Sequence, residues 1–502
     1  MSLNLNRLDL VHLLHGSKKR DAGVVREFGN VQEISQDLEF VLSNVLRRMC
    51  DRRGVERNKR ESAKVLHKLG KVYRLRSPDK ISLIRSLVLF NAALVRNPDN
   101  SHVILTDVRE ICTHVLDLAG FCEGKISLTD KAKDVALKVR EMREMVASRL
   151  AEVDKIENVQ LEERNNQIKK IHLIEKTQED IYDAFTSIMK DVMDYCLSLT
   201  DTVPCRYALT GLGSVPKKEI TPYSDFEHVF LLEEGIQLQT NYKEILEYFR
   251  WVTVIFQFVL VNMGETIVPI INLPFLNDPF HKPYDWFFDI YTRRGVSFDG
   301  MVPYACKFPL GRPRTPNKPW KTELIKPASE MLKYLEKKQA LKNGYHLADM
   351  LMKTCFVGGS KEIYQDFVDR RRDVMNYNDH VEDLRNFIND DVRNFNPVGS
   401  LDAIAKNKKW NIKRVVYRSA GLFVMALGRL HRLESTSSFD TIRQLAAHNL
   451  IDSDFAHELS YAMSIACHLR LHVYSEKGGQ DDWWIVHSKR RVLICFLCKA
   501  WE

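Results

Sequence analysis

Residues 125–203 contain neither glycine nor proline, and this run of 79 positions constrains the fold more than any other feature of the chain. Apolar side chains recur within it every three or four residues, as at Val139, Met142 and Val146. This spacing is typical of helices with one buried face, and the polar run at 162–166 indicates a break. The sequence therefore predicts two long helices here.

The segment that follows has a different composition. Residues 201–330 are rich in proline, and β-branched and aromatic runs alternate there with turn residues. This is the only part of the chain that reads as sheet plus helix, because helical spacing returns after about residue 325. We therefore expect a mostly helical chain of the α+β class with one small mixed sheet. The predicted domains are a helical domain at 1–124, long helices at 125–200, a sheet-containing domain at 201–330 and a helical domain at 331–502.

A possible repeat unit lies in the N-terminal helical region. The tetratricopeptide pattern uses small residues where two helices approach closely and proline where the second helix ends. An unrelated helical hairpin is the alternative, because a single copy of a repeat has no neighbour on which to stack. The residues that resemble the pattern are Leu69, Gly70, Tyr73, Phe90, Ala93 and Pro98.

The net charge of +8 is confined to the N-terminal part of the chain. Residues 1–80 contain 18 basic and 10 acidic side chains, and the other 422 residues are balanced. This distribution argues against a protein whose whole surface binds nucleic acid. The excess is densest at 47–60, with seven basic and two acidic residues. We expect a solvated helix face there, with binding of an acidic partner or RNA as the alternative.

The sequence also predicts a cytoplasmic protein that does not enter a membrane. The longest apolar run, 252–261, is too short to span a bilayer. The first 16 residues place Asn, Arg, Asp and His among their leucines, so they lack the apolar core of a signal peptide. Ten cysteines without framework spacing fit a reducing compartment.

One short region combines residues suited to phosphate chemistry. An apolar run ends at Gly213-Ser214, and after ten intervening residues Asp225 and Glu227 precede a second apolar run. A Gly-Ser turn after a strand exposes backbone N–H groups and a hydroxyl, which suit a triphosphate. Carboxylates at i and i+2 of a strand project from one face and can hold divalent cations. A solvated strand edge is the alternative for a bare Asp-x-Glu.

This arrangement resembles the signature of the polymerase-β-like nucleotidyltransferase superfamily. The longer string GSVPKKEITPYSDFE is similar to bacterial PII uridylyltransferase and glutamine-synthetase adenylyltransferase. Lys217 stands where the family has arginine, Glu227 replaces aspartate, and Pro216 replaces a second glycine, so the phosphate loop is expected to differ in shape. The residues that match the family are Gly213, Ser214, Glu219, Ser224 and Asp225.

The resemblance extends over roughly 175–482. It implies a helix before the first strand and a C-terminal helical domain that helps to bind substrate, with segments at 410–418, 437–445 and 462–474. It also implies a third carboxylate on a neighbouring strand. Asp299 and Asp289 are the candidates, and family position favours Asp299; an aspartate that caps a strand before a turn is the alternative for each.

The activity implied by the resemblance is transfer of a nucleoside monophosphate from a nucleoside triphosphate, such as ATP, to a hydroxyl acceptor. The acceptor would be a protein, another nucleotide or an RNA end. Asp225, Glu227 and the third carboxylate would bind two Mg²⁺ or Mn²⁺ ions. Gly213 and Ser214 would hold the β- and γ-phosphates. Further candidates for nucleotide binding are Lys217, Lys218 and Lys413, although solvated lysines are the alternative.

Two other classes of function are also compatible with the sequence. Helical flanks and Pro216 would suit a scaffold that keeps a degenerate nucleotidyltransferase fold. A sensor of nucleic acid or of a second messenger could use the basic N-terminal segment. The presence of both Asp225 and Glu227 favours the enzyme, since a degenerate site has no physical need for paired carboxylates.

His468 and His472 lie four residues apart in a predicted helix. Histidines at this spacing share a helix face and can form a pair of metal ligands. The sequence reveals no third ligand, so an ordinary structural role is the expectation for both.

Overall fold

The computed structural model describes residues 31–51, 54, 56–157, 163–302, 305, 307–311, 322–336, 345–374 and 409–485. These residues are mostly helical and include one small four-stranded sheet, which confirms the predicted α+β class.

The chain forms two compact units, and each consists of several segments of sequence. The predicted sheet-containing segment 201–330 is divided between them, so the four predicted domains do not coincide with the two units. The first unit comprises Met1–Ala136, Val192–Pro204 and Gln239–Ile325, and the second comprises Leu137–Asp191, Cys205–Leu238 and Lys326–Glu502.

The first unit contains the helical hairpin predicted from the repeat-like pattern. Gly70 lies against the ring of Phe90, where a Cβ atom would come within 2.5 Å of the ring. The hydroxyl of Ser86 donates a hydrogen bond to the Gly70 carbonyl at 2.7 Å. Pro98 begins a short 3₁₀ turn directly after the hairpin. The helices of this region are α1 (Val31–Met49), α2 (Lys59–Arg74), α3 (Lys80–Arg96) and α4 (Ser101–Ala119).

The two predicted long helices are present as α5 (Leu128–Glu157) and α6 (Arg164–Leu197). The boundary between the units falls within both of them. The predicted apolar periodicity corresponds to burial, since Val139, Met142 and Val146 are all buried. Spacing alone was sufficient to predict these helices because one face of each is covered along its length.

The longest apolar run of the sequence lies in α7 (Tyr242–Val261) of the first unit. Every residue from Trp251 to Val261 is buried, and the helix packs against α3 and α4. The run is therefore a core helix. Among the described residues, no helix has the length and apolar character needed to cross a bilayer.

The four-stranded sheet has the strand order β3-β2-β1-β4, and β1, β2 and β4 lie within the second unit. Strand β1 is antiparallel to both β2 and β4, with Leu209 opposite Phe230 and Thr210 opposite Phe356. Burial of almost every residue of β1 and β2 explains why both read as continuous apolar runs. The strands are β1 (Tyr207–Gly211), β2 (His228–Leu232), β3 (Ile325–Pro327) and β4 (Cys355–Gly359).

The region 331–502 was predicted to be helical, and β4 corrects this prediction. The strand is the short run CFVGG, whose two glycines carry no β-propensity, and only its pairing with β1 makes it a strand.

A second, two-stranded sheet pairs β5 (Lys409–Asn411) with β6 (Trp483–Ile485). The helices of this region are α8 (Ala328–Leu332), α9 (Tyr345–Met352), α10 (Lys361–Val374), α11 (Arg418–Leu430), α12 (Ser438–Ala447) and α13 (Ser453–Lys477).

The structure confirms the helices predicted at 437–445 and 462–474 and corrects the segment 410–418, which begins in β5 and continues as a π-helical turn. A π-helical turn at Ile412–Tyr417 leads into α11, while Ser437 caps α12 by accepting the Asp440 N–H. Helix α13 packs with α5 and α6 around one apolar cluster that includes Val153, Ile174 and Leu469.

Several side chains of the basic segment 47–60 contact other residues of the first unit. Residues 52, 53 and 55 of this segment lie outside the described part of the chain. Arg47 donates to the Pro283 carbonyl at 3.0 Å, and Lys59 lies 5.3 Å from the centre of the Tyr291 ring. Arg60 pairs with Asp99 at the surface. Part of this charge therefore contacts the protein itself, and the choice between a solvated face and a site for an acidic partner or RNA stays a prediction.

Candidate functional site

The Gly-Ser turn follows β1 directly and depends on glycine at position 213. Gly213 has a φ angle of +72°, which is in the left-handed region that L-residues with a Cβ atom rarely adopt. A Cβ atom there would also overlap the carboxylate of Glu227. Glycine is therefore required twice, for the backbone angle and for the space that Glu227 occupies.

The two predicted carboxylates lie just before β2. The β1–β2 ladder continues one residue beyond the strands, because the Leu212 N–H donates to the Glu227 carbonyl at 2.8 Å. Between the carboxylates, the Phe226 ring is buried and packs 5.9 Å from Phe185. Asp225 and Glu227 are only partly buried. The structure thus anchors this segment through Phe226 and holds Glu227 against the turn.

His228 lies next to this segment but adds no positive charge to it. The ring is fully buried and stacks on Phe226 at 4.6 Å. Burial lowers the pKa of His228 to about 4, so the imidazole is neutral at pH 7. The charge at the start of β2 is consequently that of the two carboxylates.

Substitution of Gly213 by Ala should disrupt the contact between the Gly213 backbone and the Glu227 carboxylate. We expect Gly213→Ala to lower the free energy of unfolding by about 2–3 kcal/mol, since both the backbone angle and the overlap with Glu227 are unfavourable. It should also abolish any stabilisation of the protein by Mg²⁺ or Mn²⁺. Thermal unfolding with and without the metal measures both effects.

Gly235→Ala is the matched control for this variant. Gly235 lies in the same unit at φ +85°, and nothing lies within 4 Å of the position of its Cβ. It should cost only about 1 kcal/mol and leave the metal response unchanged. A metal response in Gly213→Ala equal to that in Gly235→Ala would contradict the role given to the turn.

The loop between the turn and the carboxylates is held by a buried glutamate. Glu219 accepts hydrogen bonds from the Tyr417 hydroxyl at 2.5 Å and from the Ser438 hydroxyl. Its N–H donates to the Ser214 carbonyl at 3.1 Å, and its own carbonyl accepts from Arg470 at 3.0 Å. Glu219 thereby ties the Gly-Ser turn to the π-helical turn, α12 and α13.

Two further contacts shape this loop. Ser224, another residue matched to the family, accepts from the Thr221 N–H at 3.0 Å and closes a tight turn. Arg143 of α5 donates to the Pro222 carbonyl at 3.2 Å and lies 4.3 Å from the centre of the Tyr223 ring. These contacts leave the loop firmly attached on both sides, so Asp225 follows a rigid segment.

Glu219 should contribute strongly to the stability of the second unit. We expect Glu219→Ala to lower the free energy of unfolding by about 2–4 kcal/mol, because two buried hydroxyls would lose their acceptor and a cavity would form. Urea denaturation measures this change.

Glu234→Ala provides the comparison, since the exposed Glu234 also accepts two hydrogen bonds, both from Ser329. Its loss should cost less than about 1 kcal/mol because water replaces the carboxylate. Equal losses in Glu219→Ala and Glu234→Ala would show that Glu219 does not hold the loop.

The three predicted lysines occupy different environments. Lys217 lies 3.8 Å from the sulfur of Met425 on α11, while Lys218 lies 3.6 Å from the Glu179 carboxylate on α6. Lys413 is partly buried in the π-helical turn that also carries Tyr417. Lys217 thus belongs to the loop and Lys413 to a turn that contacts it, whereas Lys218 is engaged by an acidic residue.

Sequence reasoning missed a fourth lysine, Lys353, in the turn between α9 and β4. Burial lowers the pKa of Lys353 to about 8, and the charges of Glu219 and Lys217 also act on it. The side chain is therefore mostly protonated at pH 7 and adds positive charge near the loop. No signal in the sequence indicated it, because it is far along the chain from the motif and β4 itself was not predicted.

The two candidates for the third carboxylate belong to the first unit, whereas Asp225 and Glu227 belong to the second. Neither candidate lies on a strand, which corrects the expectation of a third carboxylate on a neighbouring strand. The carboxylate of Asp289 pairs with Arg96 at 2.8 Å and accepts the Val268 N–H at 3.1 Å. Asp299 accepts the Lys307 N–H at 3.1 Å. Asp289 thus already serves a buried structural ion pair.

Comparisons with known proteins add no family to this description. A scan of the chain against protein-family models finds no match, and a search of curated proteins finds none with significant similarity.

Proposed function

We propose that this protein is a metal-dependent nucleotidyltransferase that transfers a nucleoside monophosphate from a nucleoside triphosphate to a hydroxyl acceptor. The observation that carries the proposal is the contact between the Glu227 carboxylate and the backbone of Gly213. The contact places an acidic side chain beside a glycine turn whose N–H groups suit phosphate. Metal-dependent nucleotidyl transfer needs the acidic side chain and the turn close together.

The donor set fits a hard divalent cation. Asp225 and Glu227 offer carboxylate oxygens and are partly exposed, so they would hold Mg²⁺ or Mn²⁺. When bound, the metal would neutralise phosphate charge and favour deprotonation of the acceptor hydroxyl. A third carboxylate stays a prediction from the sequence, and Asp289 is already paired with Arg96 within the first unit.

The remaining residues would act on the nucleotide. Backbone N–H groups at Gly213 and the Ser214 hydroxyl would hold the β- and γ-phosphates, and Lys217 and Lys353 would add positive charge beside them. The acceptor oxygen would then attack the α-phosphorus in line, and pyrophosphate would leave. Positioning and charge neutralisation are the main contributions to such a reaction.

The C-terminal helices would complete the substrate site. The hydrogen bonds of Glu219 with Tyr417 and Ser438 support this assignment, because they tie the phosphate loop to these helices. Lys413 lies in the same π-helical turn and would contribute to binding. The acceptor is a protein hydroxyl in this proposal, with a nucleotide or an RNA end as the alternatives.

The proposal is tested by incubating the full chain with each labelled nucleoside triphosphate and Mg²⁺ or Mn²⁺. We expect metal-dependent release of pyrophosphate with at least one nucleotide and none in the presence of a chelator. Absence of release with every nucleotide, together with no metal-dependent thermal shift, would refute the enzyme and favour a scaffold.

A further inference from the structure

Helix α13 presents two histidines on the same face. His468 and His472 are separated by four residues, and their ring centres lie 6.0 Å apart. Side chains at i and i+4 of a helix lie one above the other, so both imidazoles face the same neighbouring helix. The pair alone supplies half of a tetrahedral metal site.

Helix α5 supplies a third ligand that the sequence did not reveal. The Asp154 carboxylate lies 3.6 Å from Nε2 of His468. One ligand atom from each of Asp154, His468 and His472 lies within 4.8 Å of the other two. In a tetrahedral zinc site with bonds of roughly 2.0–2.1 Å, ligand atoms lie about 3.3 Å apart. A small rotation of the two partly exposed side chains would therefore close the site.

The surroundings favour a defined site. His468 is fully buried, whereas Asp154 and His472 have exposed side-chain fractions of 35% and 24%. One ligand is thus fixed by the core, and the other two leave an entry path for an ion. The Glu476 carboxylate lies 3.9 Å from Nε2 of His472, which places a fourth donor, a carboxylate oxygen, beside the cluster.

The donor set also determines the class of metal. Two imidazoles and a carboxylate suit Zn²⁺ and neighbouring transition ions, whereas Mg²⁺ prefers oxygen ligands alone. The cluster therefore differs in chemistry from the pair Asp225 and Glu227. We propose that Asp154, His468 and His472 form a zinc-type transition-metal site that links α5 to α13.

Such an ion would stabilise the segment that holds the phosphate loop. Both helices belong to the second unit, and Val153 and Leu469, which neighbour the ligands in sequence, belong to one apolar cluster. Arg470 follows His468 by two residues and donates to the Glu219 carbonyl. The metal would therefore fix α13 next to this contact. This inference does not depend on the proposed nucleotidyl transfer.

The test uses the chelator-treated full chain with excess Mg²⁺ present, so that oxygen-only sites do not take up the probe. We expect one equivalent of Zn²⁺ to bind in competition with a chromophoric chelator and to raise the melting temperature. Co²⁺ should give the visible absorption of a tetrahedral site. Asp154→Asn and His472→Ala should each weaken Zn²⁺ binding by about a hundredfold or more.

His457→Ala is the matched control, because His457 lies on the same helix and contacts Gln167 instead. It should bind Zn²⁺ as tightly as the unaltered chain, and so should Asp225→Asn combined with Glu227→Gln. Both ligand variants alter partly exposed side chains, and their melting temperatures without metal report whether they fold. Equal Zn²⁺ binding by Asp154→Asn, His472→Ala and His457→Ala would overturn the proposal, as would the absence of the Co²⁺ absorption.

Discussion

Replacement of Asp225 by Asn together with Glu227 by Gln should lower the release of pyrophosphate from a nucleoside triphosphate by about a thousandfold or more. Each substitution keeps the size of the side chain and removes the negative charge that a hard divalent cation needs. Both residues are partly exposed, so the fold should tolerate the change. Single-turnover assays with labelled nucleotide measure the loss.

The control for this double variant removes the same charge elsewhere in the second unit. Asp366→Asn with Asp369→Asn alters α10, where the two carboxylates accept hydrogen bonds from Gln365, Arg370 and Arg372 at the surface. This variant should retain the activity of the unaltered chain. If the Asp225 and Glu227 double variant releases pyrophosphate as fast as this control, these carboxylates are not the metal ligands.

Replacement of Arg96 by Met should lower the free energy of unfolding of the first unit by about 3–5 kcal/mol. The Arg96 guanidinium contacts Glu56 at 2.7 Å and Asp289 at 2.8 Å, and the side chains of all three are fully buried. Without the guanidinium, two carboxylates would remain in the core without their counterion. Urea denaturation followed by circular dichroism measures the destabilisation.

Arg60→Met is the corresponding control in the same unit. Arg60 pairs with Asp99 at 3.0 Å, and the exposed fractions of these side chains are 73% and 74%. Water and salt screen such a pair, so its loss should cost less than about 1 kcal/mol. Similar losses for Arg96→Met and Arg60→Met would contradict a structural role for the buried cluster.

The local pattern of apolar residues was sufficient to predict secondary structure where buried side chains recur at a regular spacing. The two long helices were predicted because each buries one face at helical spacing, and the helical hairpin at 69–98 and the helices at 437–445 and 462–474 were predicted as well. The start of β2 and the Gly-Ser turn were also predicted, because continuous apolar runs bounded by glycine are typical of buried strands.

The local pattern of residues was insufficient where the structure of a segment depends on contacts with a distant part of the chain. The run at 355–359 ends in two glycines and becomes β4 only by pairing with β1. The third carboxylate was expected on a strand, but residues 289–299 form none. In both cases the decisive hydrogen bonds are with distant segments, which local propensity does not describe.

The sequence by itself determined the helical character of the chain, the position of the glycine turn and the spacing of Asp225 and Glu227. These features depend on residues close to one another along the chain, whose geometry the backbone dictates. Only the tertiary structure decided that Glu227 lies against Gly213, that Asp289 pairs with Arg96 and that Asp154 meets His468. Long-range packing sets these contacts, because only the folded chain brings such residues together.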